Sequence, residues 1–163
     1  MSAGLERQSD PSLIKIFGFV GALSFILEGV LLPVAVAAHI ILLLVFWWAA
    51  RHFGDGKIVL AAGLWFATAV AASFTTAISL RLTFLTAFMT QADVPPLVGA
   101  AWIASSAPYV YLMWHMYKNS KVGDFLHSAA AYVAGSALVV AKIGVLVLIY
   151  AFIPLAFALY KIR

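Results

Sequence analysis

The chain has 163 residues, of which 65% are hydrophobic and 10% are charged, and its mean hydropathy is +1.06. Soluble domains of this size are far less apolar, so the composition excludes a water-soluble fold and indicates an integral membrane protein. The net charge of +4 comes from scattered basic residues beside apolar segments, which argues against nucleic-acid binding, and the lack of cysteine excludes disulfides and thiol chemistry.

The N-terminal part of the chain predicts a polar tail followed by a helical hairpin. Residues 1–12 are polar, and we expect no signal peptide in them. The apolar run from Ile16 to Ala50 contains one charged residue, Glu28. This run of about 35 residues is too long for one span of roughly 20 residues and long enough for two. We therefore predict a hairpin over residues 13–52, in which Pro33 separates the two spans.

The middle of the chain predicts a second hairpin over residues 58–117, after a polar turn at residues 51–57. Its first span is ambiguous, because one helix over residues 58–90 would be about 50 Å long and would exceed the bilayer core. Either the helix ends near Arg81 and residues 82–90 lie along the outer surface, or Arg81 lies within the membrane. We favour the first arrangement because a buried arginine is costly.

The C-terminal part predicts a third hairpin over residues 125–160, which follows a polar loop at residues 118–124. The only charged residue in this apolar run is Lys142, and we predict a turn at Gly144. As in the first hairpin, the run is about 36 residues long and fits two spans.

The predicted fold class is therefore all-α, a polytopic transmembrane bundle of about six spans in three hairpins. It forms a single domain over residues 13–160, followed by a short tail at residues 161–163. Of the ten Lys and Arg residues, all except Arg81 and Lys142 fall on one side of the membrane. By the positive-inside rule, both termini are cytoplasmic and the protein is a multi-pass protein of the cell membrane. Aromatic residues that suit a membrane interface gather on the same side: Trp47, Trp48, Trp114, Tyr117 and Tyr160.

The first candidate site is an outer charge network, consisting of Glu28, Arg81, Asp93 and Lys142. Ionisable groups at membrane depth are usually paired or functional. The network therefore predicts either an ion or proton site or a set of charge pairs that fix how the hairpins pack. A contact between Glu28 and Lys142 would join the first hairpin to the last.

The second candidate site is a polar path of hydroxyl groups on the third and fourth spans. Hydroxyl residues on the third span repeat at spacings of three and four, which places them on one helical face. On the fourth span, two serines precede Pro108, which removes a backbone donor and bends the helix. Such hydroxyls either line a conduction path or form hydrogen bonds between helices. The residues are Thr76, Ser79, Thr83, Thr86 and Thr90 on the third span and Ser105 and Ser106 on the fourth.

Motifs for catalysis or phosphate binding are lacking, so we predict no enzymatic activity, no cofactor and no metal site. Four histidines, His39, His52, His115 and His127, leave open a haem- or quinone-binding electron-transfer subunit, although packing or interfacial positions are the simpler interpretation. Asp55 lies between two glycines, where aspartate is a common turn residue.

Small residues at four-residue spacing predict close approach between helices: Ala67 with Ala71, Ala100 with Ala104, and Ala131 with Gly135. The leading interpretation is a self-assembling or accessory scaffold subunit of a membrane complex. Its partners would be the lipid bilayer and either further copies of the chain or other membrane subunits, and not nucleic acid. The alternative is a small channel or transporter for an ion or small solute, lined by the hydroxyl stripe.

Two segments, WWAARHFGDGKIVLAAGLW at residues 47–65 and YKNSKVGDFLHSAAAYVAGSAL at residues 117–138, resemble a family of small archaeal membrane proteins of unknown function. The resemblance implies a helical membrane fold and an archaeal source, and it implies no activity and no site residues. The scarcity of Asn and Gln fits a thermophilic source, although apolar membrane segments also lack amides.

Overall fold

The computed structural model describes residues 11–24, 32–80, 93–141 and 143–162, and the regular elements in these ranges are all helical. A short 3-10 turn, Val139–Ala141, separates the last two of the six α-helices. In chain order the helices are α1 (Pro11–Ser24), α2 (Leu32–Phe53), α3 (Gly56–Leu80), α4 (Pro96–Ser120), α5 (Asp124–Ala137) and α6 (Ile143–Tyr160).

Four of these helices, α2, α3, α4 and α6, are long and apolar enough to cross a membrane. The other two, α1 and α5, have 14 residues each. The predicted class, an all-α membrane bundle, is confirmed. Long apolar runs form helices in lipid because a helix satisfies its own backbone hydrogen bonds where no water is present.

The helices form a closed ring. Each helix packs against the next one in the chain, and α6 returns to pack against α1. Asp55 of the α2–α3 turn contacts His115 and Asn119 near the end of α4, and Phe17 of α1 packs against Trp48 near the end of α2. Lys161, just after α6, contacts Asp124 at the start of α5. The α2–α3 turn, the α4–α5 loop, the first half of α1 and the end of α6 therefore lie at the same end of the ring. We call this the basic end, because it carries all six lysines and arginines that the structure describes: Lys15, Arg51, Lys57, Lys118, Lys121 and Lys161.

Aromatic side chains fill part of the interior. Trp65, Tyr109 and Tyr132 are fully buried. The rings of Tyr109 and Tyr132 stack with centroids 4.2 Å apart, and Trp65 lies 5.3 Å from Tyr109. Phe46 of α2 and Phe152 of α6 pack against this cluster edge-on. The cluster therefore joins five of the six helices through large apolar contacts.

Helices α5 and α6 approach each other closely where the chain turns back between them. A Cβ atom built on Gly144 would lie well within 3.0 Å of the carbonyl carbon of Leu138 and of the carbonyl oxygen of Gly135. Gly144 lies inside α6, and the turn is made by Val139–Ala141. The prediction of Gly144 as the turn residue is therefore wrong. Its lack of a side chain instead lets the start of α6 pack directly against the backbone of the turn and of α5.

Other boundaries lie close to the predictions. Pro33 lies in the first turn of α2, where backbone amides have no acceptor within the helix, so the proline costs no helical hydrogen bond. The fifth helix ends at Ala137, earlier than the predicted end near Lys142, because the 3-10 turn takes over the chain reversal. The predicted end of the third span near Arg81 lies outside the described residues.

Candidate functional site

Of the four residues in the predicted outer charge network, the structure describes one, Asp93. Asp93 is exposed and lies shortly before α4 begins. Glu28, Arg81 and Lys142 lie outside the described residues, and so does the predicted contact between Glu28 and Lys142. The packing of α1 against α6 does make the first and last helices neighbours.

Three residues of the predicted polar path meet around Trp102. Its indole nitrogen Nε1 donates a hydrogen bond to Thr76 Oγ1 at 3.1 Å, and the Ser105 and Ser106 hydroxyls donate to the Trp102 carbonyl oxygen at 2.7 and 3.3 Å. All three hydroxyls are buried. The other residues of the path do not join them: Ser79 is exposed, and Thr83, Thr86 and Thr90 lie outside the described residues.

The direction of each interior hydrogen bond follows from a count of donors. A hydroxyl carries one hydrogen, and Ser105 uses its own on the Trp102 carbonyl. The Tyr132 hydroxyl must therefore donate to Ser105 Oγ, 3.0 Å away, while it accepts from Trp65 Nε1 at 3.3 Å. A directed chain runs from Trp65 of α3 through Tyr132 of α5 to α4.

A second and a third chain end in the same way. Ser128 Oγ donates to the carbonyl oxygen of Ala151 at 2.7 Å, so the Tyr109 hydroxyl donates to Ser128 Oγ at 2.6 Å. Thr76 accepts from Trp102 and donates to the carbonyl oxygen of Ala72 at 2.8 Å. Each chain terminates on a backbone carbonyl, so the buried hydroxyls act as links between α3, α4, α5 and α6.

A separate polar cluster lies at the basic end. Asp55, in the turn between α2 and α3, accepts hydrogen bonds at Oδ2 from His115 Nδ1 at 2.8 Å and from Asn119 Nδ2 at 2.9 Å. Its Oδ1 accepts from the Lys57 amide at 3.0 Å. Because His115 and Asn119 are four residues apart, they share one face of α4 and reach the same carboxylate.

The electrostatics of this cluster favour a charged carboxylate. Partial burial raises the pKa of Asp55, but the hydrogen bonds from His115, Asn119 and the Lys57 amide outweigh it and hold that pKa below the ordinary value of 3.8. The His115 ring is buried, with Tyr111 packed edge-on at 4.6 Å. With Nδ1 held by Asp55, the ring is fixed, and the cluster fastens the α2–α3 turn to α4.

The sequence did not predict this cluster: it indicated Asp55 as a turn residue and His115 as a packing or interfacial residue. The sequence does contain one signal for it. His115 and Asn119 are four residues apart near the end of a predicted span, and the Gly-Asp-Gly turn is predicted on the same side of the membrane. The other histidines are dispersed. His39 is buried and stacks on Trp65 at 5.4 Å, and His127 is exposed. Among the described residues, no three His, Asp or Glu side chains are grouped as a metal site requires.

The small residues divide into two groups. Gly135 lies where α5 meets α6: a Cβ atom there would lie 2.6 Å from the amide nitrogen of Leu148. The other two predicted pairs, on α3 and α4, face away from the interior. A glycine that the prediction did not include, Gly63, has open space around its missing side chain. The exposed members of these rows are Gly63, Ala67 and Ala71 on α3 and Ala100 and Ala104 on α4.

Comparison of the chain with models of protein families, with curated proteins and with solved structures found no match. The resemblance to a small archaeal membrane-protein family therefore stays a prediction, and function must be argued from the geometry of the chain itself.

Proposed function

We propose that the protein is a non-enzymatic membrane scaffold that self-assembles through the outward surface of α3. The observation that carries the proposal is the row Gly63, Ala67 and Ala71, which lies at four-residue spacing on the exposed side of this helix. Rows of this kind let two helix backbones approach closely within lipid, where van der Waals contact drives helix association. We call these three residues the small-residue face.

The other glycines make the contrast clear. Inside the ring, Gly18, Gly21, Gly135 and Gly144 each lie where a Cβ atom would meet a neighbouring residue within 3.0 Å. Around Gly63 nothing lies within 4 Å. Glycine within a helix costs about 1 kcal/mol relative to alanine. In the single chain, Gly63 destabilises α3 by this amount and no close packing offsets the loss. Packing of a second helix on the small-residue face would offset it.

The interior supports the same proposal. The directed hydrogen bonds from Trp65, Trp102 and Tyr109 connect four helices, and the aromatic cluster joins them to α2. Such a bundle presents its outer surface as a fixed shape.

The test is a substitution that fills the small-residue face. Gly63→Leu adds a bulky side chain where the single chain has room for it, so the fold is retained while close approach of a partner is blocked. Ala37→Leu, on an exposed side of α2 where the neighbouring exposed residues are Ile40 and Leu44, is the matched control. In mild detergent we expect the wild type and Ala37→Leu to have a protein mass at least twice the 17.5 kDa of one chain, and Gly63→Leu to have the mass of one chain. One chain for all three variants contradicts the proposal.

We also propose that the basic end faces the cytoplasm. This orientation places Arg51, Lys57, Lys118, Lys121 and Lys161 on the cytoplasmic side, as the positive-inside rule requires. Arg51 stands over the ring of Trp47 at 4.7 Å, an arrangement suited to the membrane interface. Labelling of a cysteine introduced at Lys121 tests this orientation. In intact cells a membrane-impermeant maleimide should fail to react with the cysteine, and efficient reaction would show that the basic end faces outward.

A further inference from the structure

A shallow groove runs along the outside of the bundle between α4 and α5. Its volume is about 620 Å³, which is in the range of small-molecule sites. Ser106 also borders it, but the Ser106 hydroxyl is directed at the Trp102 carbonyl. The remaining walls are apolar or aromatic: Ile103, Ala107, Val110, Tyr111, Trp114 and Val133.

The length of the groove matches one leaflet of a bilayer. Ile103 and Trp114 are separated by about 16 Å along the helix at 1.5 Å per residue, and the hydrocarbon core is about 30 Å thick. Trp114 is half exposed and Tyr111 is similarly exposed, both toward the basic end. Since Trp and Tyr prefer the headgroup region, this end of the groove lies at the membrane interface and the Ile103 end lies near the midplane.

The interfacial end of the groove is positively charged. Lys118 lies one turn beyond Trp114 on the same side of α4 and is exposed, and Lys121 follows in the adjoining loop. Neither lysine takes part in an ion pair with the described residues. An apolar groove the length of one leaflet, with aromatic rings and lysine ammonium groups at its interfacial end, suits a lipid with a negative headgroup.

We propose that this groove binds an anionic glycerophospholipid, with one acyl chain lying between α4 and α5 and the phosphate held by Lys118. The acyl chain covers the apolar walls from Trp114 to Ile103, and the indole and phenol rings border the glycerol region. The site is separate from the small-residue face, so lipid binding does not depend on self-assembly.

Native mass spectrometry of the detergent-solubilised full chain tests the proposal, with dioleoyl phosphatidylglycerol and dioleoyl phosphatidylcholine as probes. We expect tighter binding of phosphatidylglycerol. Lys118→Gln should weaken it about fivefold, the effect of one basic residue near an anionic surface. Lys57→Gln removes an exposed cation at the same end but away from the groove, and should leave binding unchanged. Equal binding of the two lipids, or equal effects of the two substitutions, overturns the proposal.

The apolar part of the groove has its own test. Ala107→Phe fills the groove and should weaken both lipids, whereas Ala37→Phe on the exposed side of α2 should not. A measurement in liposomes does not depend on whether Ala107→Phe folds. Brominated phosphatidylglycerol should quench tryptophan fluorescence more than brominated phosphatidylcholine does, and Trp114→Phe should remove this difference while Trp47→Phe retains it. A difference that persists in Trp114→Phe contradicts the proposed site. Gly63→Leu, which disrupts self-assembly, should bind the lipids as the wild type does.

Discussion

Replacement of Gly144 by alanine is expected to destabilise the bundle through direct backbone conflict. The new Cβ atom would lie well within 3.0 Å of the Leu138 carbonyl carbon, the Gly135 oxygen and the Val139 amide nitrogen. Cβ contacts below 3.0 Å are essentially never observed. All three conflicting atoms belong to the backbone, so rotation of a side chain cannot relieve the contact, and α6 must move away from the turn.

The expected loss follows from two opposing effects. Overpacking of a well-packed interior costs typically 1–3 kcal/mol, and a conflict with backbone atoms is expected at about 3 kcal/mol. Alanine recovers about 1 kcal/mol of helix propensity relative to glycine. We therefore expect Gly144→Ala to lower the free energy of unfolding by about 2 kcal/mol.

The assay is reversible unfolding in mixed micelles with increasing SDS, followed by far-ultraviolet circular dichroism. Gly56→Ala is the matched control, because it makes the same chemical change at the start of α3, outside the small-residue face, where nothing lies within 4 Å of the new atom. It should leave the free energy of unfolding unchanged or raise it by up to about 1 kcal/mol. If Gly144→Ala unfolds at the same SDS fraction as the wild type, the described crossing of α5 and α6 is wrong.

Two further predictions concern the polar clusters. Tyr132→Phe removes the hydroxyl that accepts from Trp65 Nε1 and donates to Ser105, and should lower the free energy of unfolding by about 1 kcal/mol in the same assay; a value equal to the wild type would contradict the directed chain. Because the folded-state pKa of Asp55 lies below its ordinary value, its stabilising contribution is complete above about pH 3.8 and is lost as the pH falls below it. Asp55→Asn should therefore be less stable at neutral pH and should lose less stability on acidification than the wild type; parallel pH profiles would contradict the assignment.

The elements of the fold follow from hydropathy, and the packing does not. The apolar runs around Glu28 and Lys142 predicted paired helices because lipid demands internal backbone hydrogen bonds. A helix that is apolar on all sides carries little periodicity to tell its inner from its outer face. For this reason Ala67 and Ala71, predicted as a close packing pair, could not be assigned to the outside of the ring, and the role of Gly144 was misjudged.

The sequence indicates which residues are polar but not which partners they contact. Thr76, Ser105 and Ser106 could be selected as polar residues in apolar helices, but their shared partner, Trp102, is counted among the hydrophobic residues of the chain. The contact between Asp55 and His115 joins residues from a turn and from a later helix, and depends on how α4 is rotated about its axis. Neither spacing nor composition encodes that rotation.

Subunit counting in membranes tests the central proposal of self-assembly most directly. Each chain would carry one fluorophore at its C-terminus, and photobleaching steps would be counted in liposomes that hold the protein at low density. We expect the wild type to bleach in more than one step and Gly63→Leu to bleach in a single step. Single-step bleaching of the wild type at every density would contradict assembly through the small-residue face.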